Sequence, residues 1–174
     1  MRRWGVRLIW FVVAIVLIFG ILQLAGPERV WALFGPADLG PVNFEALQRR
    51  TTPNDALACP VNVCQAKADL VSPVFGVSAQ DLRLAFARAI ATEPRLFRVD
   101  GDDANLTERY VQRTRLMRFP DTIVVRFFDL PDHQSTIALY SRSQLGEGDM
   151  GVNLARVQRW LSALEQEVKP ASMP

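Results

Sequence analysis

The chain begins with one long apolar run, whereas its later apolar positions alternate or recur at helical spacing. Residues 8–27 include no charged side chain. An α-helix rises about 1.5 Å per residue, so this run can cross the roughly 30 Å hydrocarbon core of a bilayer. Arg2, Arg3 and Arg7 precede the run, and basic residues stay on the cytoplasmic side. We therefore expect residues 1–27 to form a cytoplasmic stub and a transmembrane anchor that contacts lipid through residues 8–27.

A cleaved signal peptide is the alternative interpretation of this run. Signal peptides have an apolar core of about 7–15 residues, followed by small residues at a cleavage site. Here the core is longer, and residues 22–27 offer no clean small-x-small site. The pattern favours an anchor that is retained.

Residues 28–65 show no sustained periodicity. Prolines and glycines fall too close together for long helices or central strands, at Gly35, Pro36, Gly40, Pro41 and Pro53. We predict an irregular juxtamembrane arm here, followed by a compact domain over residues 66–174.

The compact domain has clear element signals. Residues 69–77 are apolar and interrupted by Pro73, which is typical of an edge strand. Ser78 and Asp81 form a capping box for a helix that ends before Pro94. Four strand-like stretches then follow, at residues 95–99, 106–117, 121–129 and 135–142. Residues 131–133 form a turn between the last two of them.

A final helix is predicted from Asn153, its N-cap, to Pro170, which stops it. Its apolar face recurs every three or four residues at Leu154, Val157, Leu161, Leu164 and Val168, with Trp160 beside it. Short turns between consecutive strands imply antiparallel pairing. We therefore predict an α+β fold, in which a mostly antiparallel sheet of about five strands packs against two helices behind an N-terminal transmembrane helix.

The charge distribution argues against a nucleic-acid partner. The chain has 20 basic and 18 acidic residues, but three of the basic ones lie before Pro27. The exported part therefore carries 17 basic against 18 acidic residues, a net charge of −1. Nucleic-acid binding needs a concentrated basic face.

Cys59 and Cys64 are the only cysteines. In an oxidising compartment a disulfide that closes this short loop is the expected arrangement, contributing roughly 2 kcal/mol. A redox dithiol normally has two residues between its cysteines, and a structural zinc site needs four ligands, so both alternatives fit less well. We predict no metal and no cofactor.

Catalytic signals are sparse. His133, the only histidine, lies in the predicted turn at residues 131–133, so a nucleophile–histidine arrangement would depend on a turn residue. Gly146, Gly148 and Gly151 satisfy G-x-G-x-x-G, but the chain lacks the later strand and acidic residue that a dinucleotide site requires. We assign no catalytic residues, although paired carboxylates leave an enzyme possible.

The same region resembles the family called domain of unknown function 1499. The resemblance lies in residues 140–146, residues 149–153 and Arg156, with residues 119–127 as the preceding strand and residues 52–64 as the entry segment. It spans about residues 52–168. It implies a bacterial or organellar protein, often at a membrane, and implies no activity. Together with the anchor, it implies a bacterial inner-membrane protein, and we expect its C-terminal domain to lie in the periplasm.

A candidate polar cluster follows from this pattern, namely Asp121, Arg142, Asp149, Asn153 and Arg156. Asp149 lies just before the last helix, where a carboxylate interacts favourably with the helix dipole. One interpretation is a polar clasp, in which Asp149 pairs with Arg142 or Arg156. The other is a concave pocket for an anionic group or the terminus of a partner.

Four arginines follow the predicted strand 106–117, at positions 109, 113, 115 and 118. Alternation places Arg109, Arg113 and Arg115 on one face. That face is either solvated or available to anionic lipid headgroups or an acidic partner.

These observations favour a membrane-anchored periplasmic binding or assembly module of the cell envelope, with an envelope protein or anionic lipid as partner. The alternatives are an envelope enzyme that uses the carboxylate and arginine cluster, and a carrier of a lipid or other apolar ligand held between the sheet and the long helix.

Overall fold

The computed structural model describes residues 2–168, and its first element is the apolar helix α1 (Arg2–Ala25). Residues Arg3–Leu24 of α1 are long and apolar enough to cross a membrane, a property that anchors and signal sequences share. A short helix α2 (Pro27–Trp31) and one 3-10 turn (Ala32–Phe34) follow directly.

Residues 2–168 contain a sheet of seven strands. They are β1 (Asp55–Cys59), β2 (Leu70–Val71), β3 (Val74–Phe75), β4 (Leu96–Asp102), β5 (Thr107–Arg113), β6 (Pro120–Leu130) and β7 (Gln134–Ser143). Their order is β2-β1-β7-β6-β5-β4, and β3 pairs with β7 on the same edge as β1. Among these residues, β1 and β2 form the one parallel pair. The predicted α+β class is confirmed, with seven strands rather than about five.

The β6–β7 hairpin is the centre of the sheet. Its strands pair from Asp121 opposite Ser143 to Leu130 opposite Gln134. The predicted turn at residues 131–133 joins them, and Asp132 and His133 both adopt positive φ angles there. Asp is enriched in this left-handed region because its short side chain can bond locally to the backbone.

Two helices cover one face of the sheet, α3 (Ala79–Ala89) and α4 (Val152–Val168). The predicted capping of α3 is confirmed, since Asp81 donates its backbone N–H to Ser78 Oγ at 3.1 Å. The core under the helices is aromatic. Phe86 packs edge-on against Phe127 and Trp160, with ring centroids 5.6 and 5.8 Å apart. The space between the sheet and α4 is therefore filled.

The predicted apolar face of α4 needs two corrections. Leu154 is 36% exposed, whereas Trp160, expected beside the face, is 1% exposed and belongs to the core. The buried stripe runs at regular helical spacing through Val157, Trp160, Leu161 and Leu164, and it is continued at the start of the helix by the polar Asn153 and Arg156 instead of Leu154. Asn153 is buried within the domain and does not act as an exposed cap. Pro170, expected to end α4, lies outside the described residues.

The arm covers the opposite face of the sheet. Phe44 and Leu47 are buried against Leu57, Val124 and Tyr140. Residues 55–59, which the sequence analysis placed in the irregular arm, form β1 between β2 and β7. After the partly buried Asp55, this strand consists of two alanines, a leucine and a cysteine that are all buried, so it lacks the alternation by which a half-exposed strand is recognised. Cys59 and Cys64 form a disulfide at its end.

Substituting Val157 with Asp should unfold the domain. Val157 is fully buried, and an unpaired carboxylate in that core costs at least about 3 kcal/mol. Leu154→Asp, one turn earlier and exposed, is the matched control and should change the unfolding free energy by less than about 1 kcal/mol. Urea unfolding and limited proteolysis of the full chain in detergent measure both. Equal resistance of the Val157→Asp variant and the wild type would refute this packing.

Candidate functional site

Arg156 is the centre of a buried polar cluster. Its guanidinium Nη2 donates to Asp121 Oδ2 at 2.6 Å, and its Nε donates to Gln112 Oε1 at 2.6 Å. Its Nη1 donates to Ser141 Oγ at 2.7 Å and to Asn153 Oδ1 at 2.6 Å. Arg156 and Asp121 are each at least 95% buried. The charge is therefore compensated by a direct ion pair and by three further acceptors.

Strand alternation and register bring these residues together. Gln112 on β5 lies opposite Asp121 on β6, and Asp121 lies opposite Ser143 on β7. Side chains two residues apart on a strand point to the same face, so Ser141 and Ser143 both face α4. The first turn of α4 then supplies Asn153 and Arg156, which are three residues apart and share one side of the helix.

Asn153 connects the cluster to two loops. Its Nδ2 donates to Ser143 Oγ at 2.9 Å, to the Asn54 carbonyl at 3.2 Å and to Asp149 Oδ2 at 2.7 Å. Asn54 in turn donates to the Gly146 carbonyl at 2.6 Å. The entry segment before β1 and the loop before α4 are therefore joined through the amide side chains of Asn153 and Asn54.

Asp149 caps the N-terminal turn of α4, the position for which the sequence predicted a favourable dipole interaction. Its carboxylate accepts the backbone N–H groups of Gly151 and Asn153, each at 2.9 Å. The expected pairing of Asp149 with Arg142 or Arg156 is not the arrangement found, because Arg156 pairs with Asp121. A phosphate at a helix N-terminus binds to free backbone N–H groups, and here Asp149 already accepts those of Gly151 and Asn153.

Arg142 lies apart from the other four predicted cluster residues. It follows Ser141 on β7, so alternation points it to the arm face of the sheet. There its Nη2 donates to the Leu39 and Gly40 carbonyls at 2.9 and 2.8 Å. Burial lowers the pKa of the Arg142 guanidinium, an effect that the nearby Tyr140 partly offsets. Arg142 therefore fastens the arm to the sheet.

Four residues of the cluster were not predicted from the sequence, namely Gln112, Ser141, Ser143 and Asn54. Ser141 and Ser143 share the parity of Ile137 and Leu139, which are buried under the helices. Polar residues that lie on the same face of a strand as its buried apolar residues are a usable signal for a buried polar cluster. Asn54 gives no such signal, because it lies before β1 in an irregular segment.

An open cleft of about 350 Å³ adjoins the cluster. One wall is the loop between β5 and β6, here called the 114–119 loop. The other is the loop before α4 together with Val152, the first residue of that helix, here called the 145–152 loop. Asp121, Ser143 and Asp149 line the cleft on the cluster side, and the other lining is mostly apolar, formed by Leu116, Met117, Phe119, Leu145, Met150 and Val152. Met150 is fully exposed at φ 54°.

The 114–119 loop is attached to the end of α1 and to α2. Gln23 Nε2 donates to the Leu116 carbonyl at 3.1 Å, and Trp31 Nε1 donates to the Met117 carbonyl. The Trp31 ring packs on Phe119 with centroids 4.5 Å apart. These contacts place the cleft next to the end of the apolar helix.

The four arginines that were predicted to follow one strand lie partly on β5 and partly on the loop after it. β5 ends at Arg113, so Arg115 and Arg118 belong to the 114–119 loop instead of the strand. Arg109 pairs with Asp38 of the arm and Asp100 of β4, at 2.9 Å each. Arg109 is therefore paired with the arm rather than solvated, and the half-buried Arg113 donates its Nη1 to the Arg118 carbonyl at 3.2 Å. Arg115 is exposed on the loop.

Metal-binding geometry is not found in the part of the chain that the structure describes, where no group of three or more His, Cys, Asp or Glu side chains is placed to hold an ion. His133 is exposed in the β6–β7 turn.

The fold and the cluster define an α+β domain behind an N-terminal apolar helix, organised around a buried arginine–carboxylate pair. The chain belongs to the family described as protein of unknown function DUF1499, whose model matches residues 51–164. This confirms the resemblance read from residues 52–168. No curated protein matches the chain.

Replacing Arg156 with Met should strongly destabilise the domain. Removing one member of a buried ion pair leaves the other, Asp121, uncompensated, and this costs about 3–5 kcal/mol. Arg159→Met is the matched control, since Arg159 is largely exposed and pairs with Glu93 at 2.9 Å; exposed pairs are worth less than about 1 kcal/mol. Urea unfolding of the full chain in detergent measures both.

The double variant Asp121→Leu/Arg156→Met completes this test. It removes both charges, so part of the lost stability should return. Equal losses for Arg156→Met and Arg159→Met, or no recovery in the double variant, would contradict the central role of the pair.

Proposed function

We propose that this protein is a non-catalytic, membrane-anchored binding module of the bacterial cell envelope. It would span the inner membrane once and carry its α+β domain in the periplasm. Its cleft would receive the apolar part of another envelope component at the membrane surface.

The anchor is supported by the surroundings of α1. The apolar window of this helix has no residue buried by the rest of the described chain, and so large an apolar surface is stable only in lipid or against a partner. The basic residues at its start favour a cytoplasmic N-terminus. The disulfide Cys59–Cys64 is typical of an oxidising compartment such as the periplasm.

The main support for a binding role is that the polar groups at the cleft are already bonded within the protein, whereas the accessible lining is mainly apolar. Both carboxylates that line the cleft are engaged, Asp121 by Arg156 and Asp149 by the start of α4. A general acid or base must be free to exchange a proton with a substrate, whereas these carboxylates are already bonded within the protein. The accessible remainder of the cleft is mainly apolar, which suits binding.

The two alternatives gain less support. An envelope enzyme would need Arg142 or Arg156 in the cleft, but Arg142 lies on the arm face and Arg156 is buried behind Asp121. A carrier with its ligand between the sheet and α4 would need space there, and Phe86, Trp160 and Leu164 fill it. Open apolar space lies instead between the two loops.

The topology can be measured directly. Alkaline phosphatase fused after residue 174 should be active, and an N-terminal epitope tag should remain attached to the mature chain, because the anchor is retained. Activity of a cytosolic reporter at the same fusion point would contradict the proposed orientation. Loss of the tag would show a cleaved signal sequence.

The binding role can be tested by photocrosslinking in native membranes. A photoreactive phenylalanine analogue in place of Met150, at the cleft, should give adducts with lipid or protein at several times the yield of the same analogue in place of Leu33. Leu33 is 83% exposed and follows α2, so it is close to the end of α1 but does not line the cleft. Equal yields at the two positions would refute a binding role for the cleft.

A further inference from the structure

We infer that the cleft takes up the acyl chain of a bilayer phospholipid, which enters between the 114–119 and 145–152 loops. This inference rests on the proposed function, since it names the ligand class of the same cleft. It depends on where the cleft lies, what lines it and which charges surround it.

The position of the cleft follows from one hydrogen bond. Gln23 is in the last turn before the end of the apolar window at Leu24, so it lies where the span meets the headgroup region. Its side chain bonds to the Leu116 carbonyl at 3.1 Å. The Leu116 side chain, 61% exposed and part of the cleft lining, is therefore held at the depth of the membrane interface.

The second loop adds exposed apolar side chains beside the same opening. Met150 and Val152 are exposed and line the cleft together with Leu116. Exposed apolar residues gathered at one opening are unfavourable in water and stable at a lipid surface. Trp31, bonded to Met117 of the first loop, is the kind of residue that is enriched at this interface. Both walls of the cleft therefore meet the bilayer with apolar groups.

The charges favour a chain inside the cleft and a phosphate outside it. Asp121 and Asp149 line the inner side and would repel an anionic headgroup. Arg115 is exposed on the 114–119 loop and can meet a phosphate that stays at the surface. A volume of about 350 Å³ is at the lower end of the range for small-molecule sites, which suits part of a chain rather than a whole lipid.

The test uses the full chain in nanodiscs of phosphatidylcholine and phosphatidylglycerol, with a phosphatidylglycerol probe that carries a diazirine at the end of one acyl chain. After irradiation, mass spectrometry should find adducts on peptides that contain residues 114–119 and 145–152. Adducts on α1 serve as the internal reference, because the span contacts lipid whether or not the cleft does.

A glycine pair supplies the blocking variant and its control. A Cβ at Gly148, which lines the cleft, or at Gly76, which does not, meets no atom within 4 Å, and neither residue has a positive φ. Both therefore accept a larger side chain. Gly148→Phe should lower the cleft adducts several-fold relative to those on α1, whereas Gly76→Phe should leave them unchanged.

A leucine pair tests the entrance independently. Leu116→Asp places a carboxylate at the opening and should also lower the cleft adducts, whereas Leu84→Asp, on the 51% exposed Leu84 of α3, should not. If neither cleft variant differs from its control, or if the cleft peptides carry no adduct, the acyl-chain inference is wrong. The proposed function still holds after that result if the analogue at position 150 crosslinks to a discrete protein. It is also wrong if the crosslinking yield at position 150 equals the yield at position 33.

Discussion

The guanidinium of Arg156 is buried where three strands and the last helix meet, and its charge must be compensated there. Asp121 supplies the opposite charge, while Gln112, Ser141 and Asn153 accept hydrogen bonds from the other N–H groups of Arg156. A buried charge without such partners costs several kcal/mol. The register of β5, β6 and β7 and the placement of α4 are thus tied to one side chain, since a slip of one residue would turn an acceptor to the other face.

The same constraint extends to the surface through Asn153. This amide bonds to Asp149 and to the Asn54 carbonyl, and Asp149 fixes the first turn of α4. The 145–152 loop is therefore held by the buried polar cluster, whereas the 114–119 loop is held by Gln23 and Trp31. The cleft exists because two loops are anchored to different parts of the molecule, one to the polar interior and one to the apolar helix.

The sequence predicted those features that arise from local rules. Ser78 and Asp81 specify the start of α3, the β-branched runs specify β6 and β7, and four of the five predicted cluster residues lie together. The failures have a common cause in long-range contacts. β1 lacks alternation because both of its faces are covered, and Arg142 was grouped with Arg156 by proximity in the chain although alternation separates them. The cleft depends on the meeting of two loops, which no local pattern encodes.

The attachment of α1 and α2 to the 114–119 loop is made largely through the main chain of the loop. Gln23 and Trp31 both donate to carbonyl oxygens, those of Leu116 and Met117. Every amino acid presents the same carbonyl, so this link is indifferent to the side chains at positions 116 and 117. Those two positions are free to change in size or polarity while the loop keeps its place. The way the loop is attached is thus independent of the side chains at its rim, and related chains can vary the apolar character of this rim without rebuilding the scaffold.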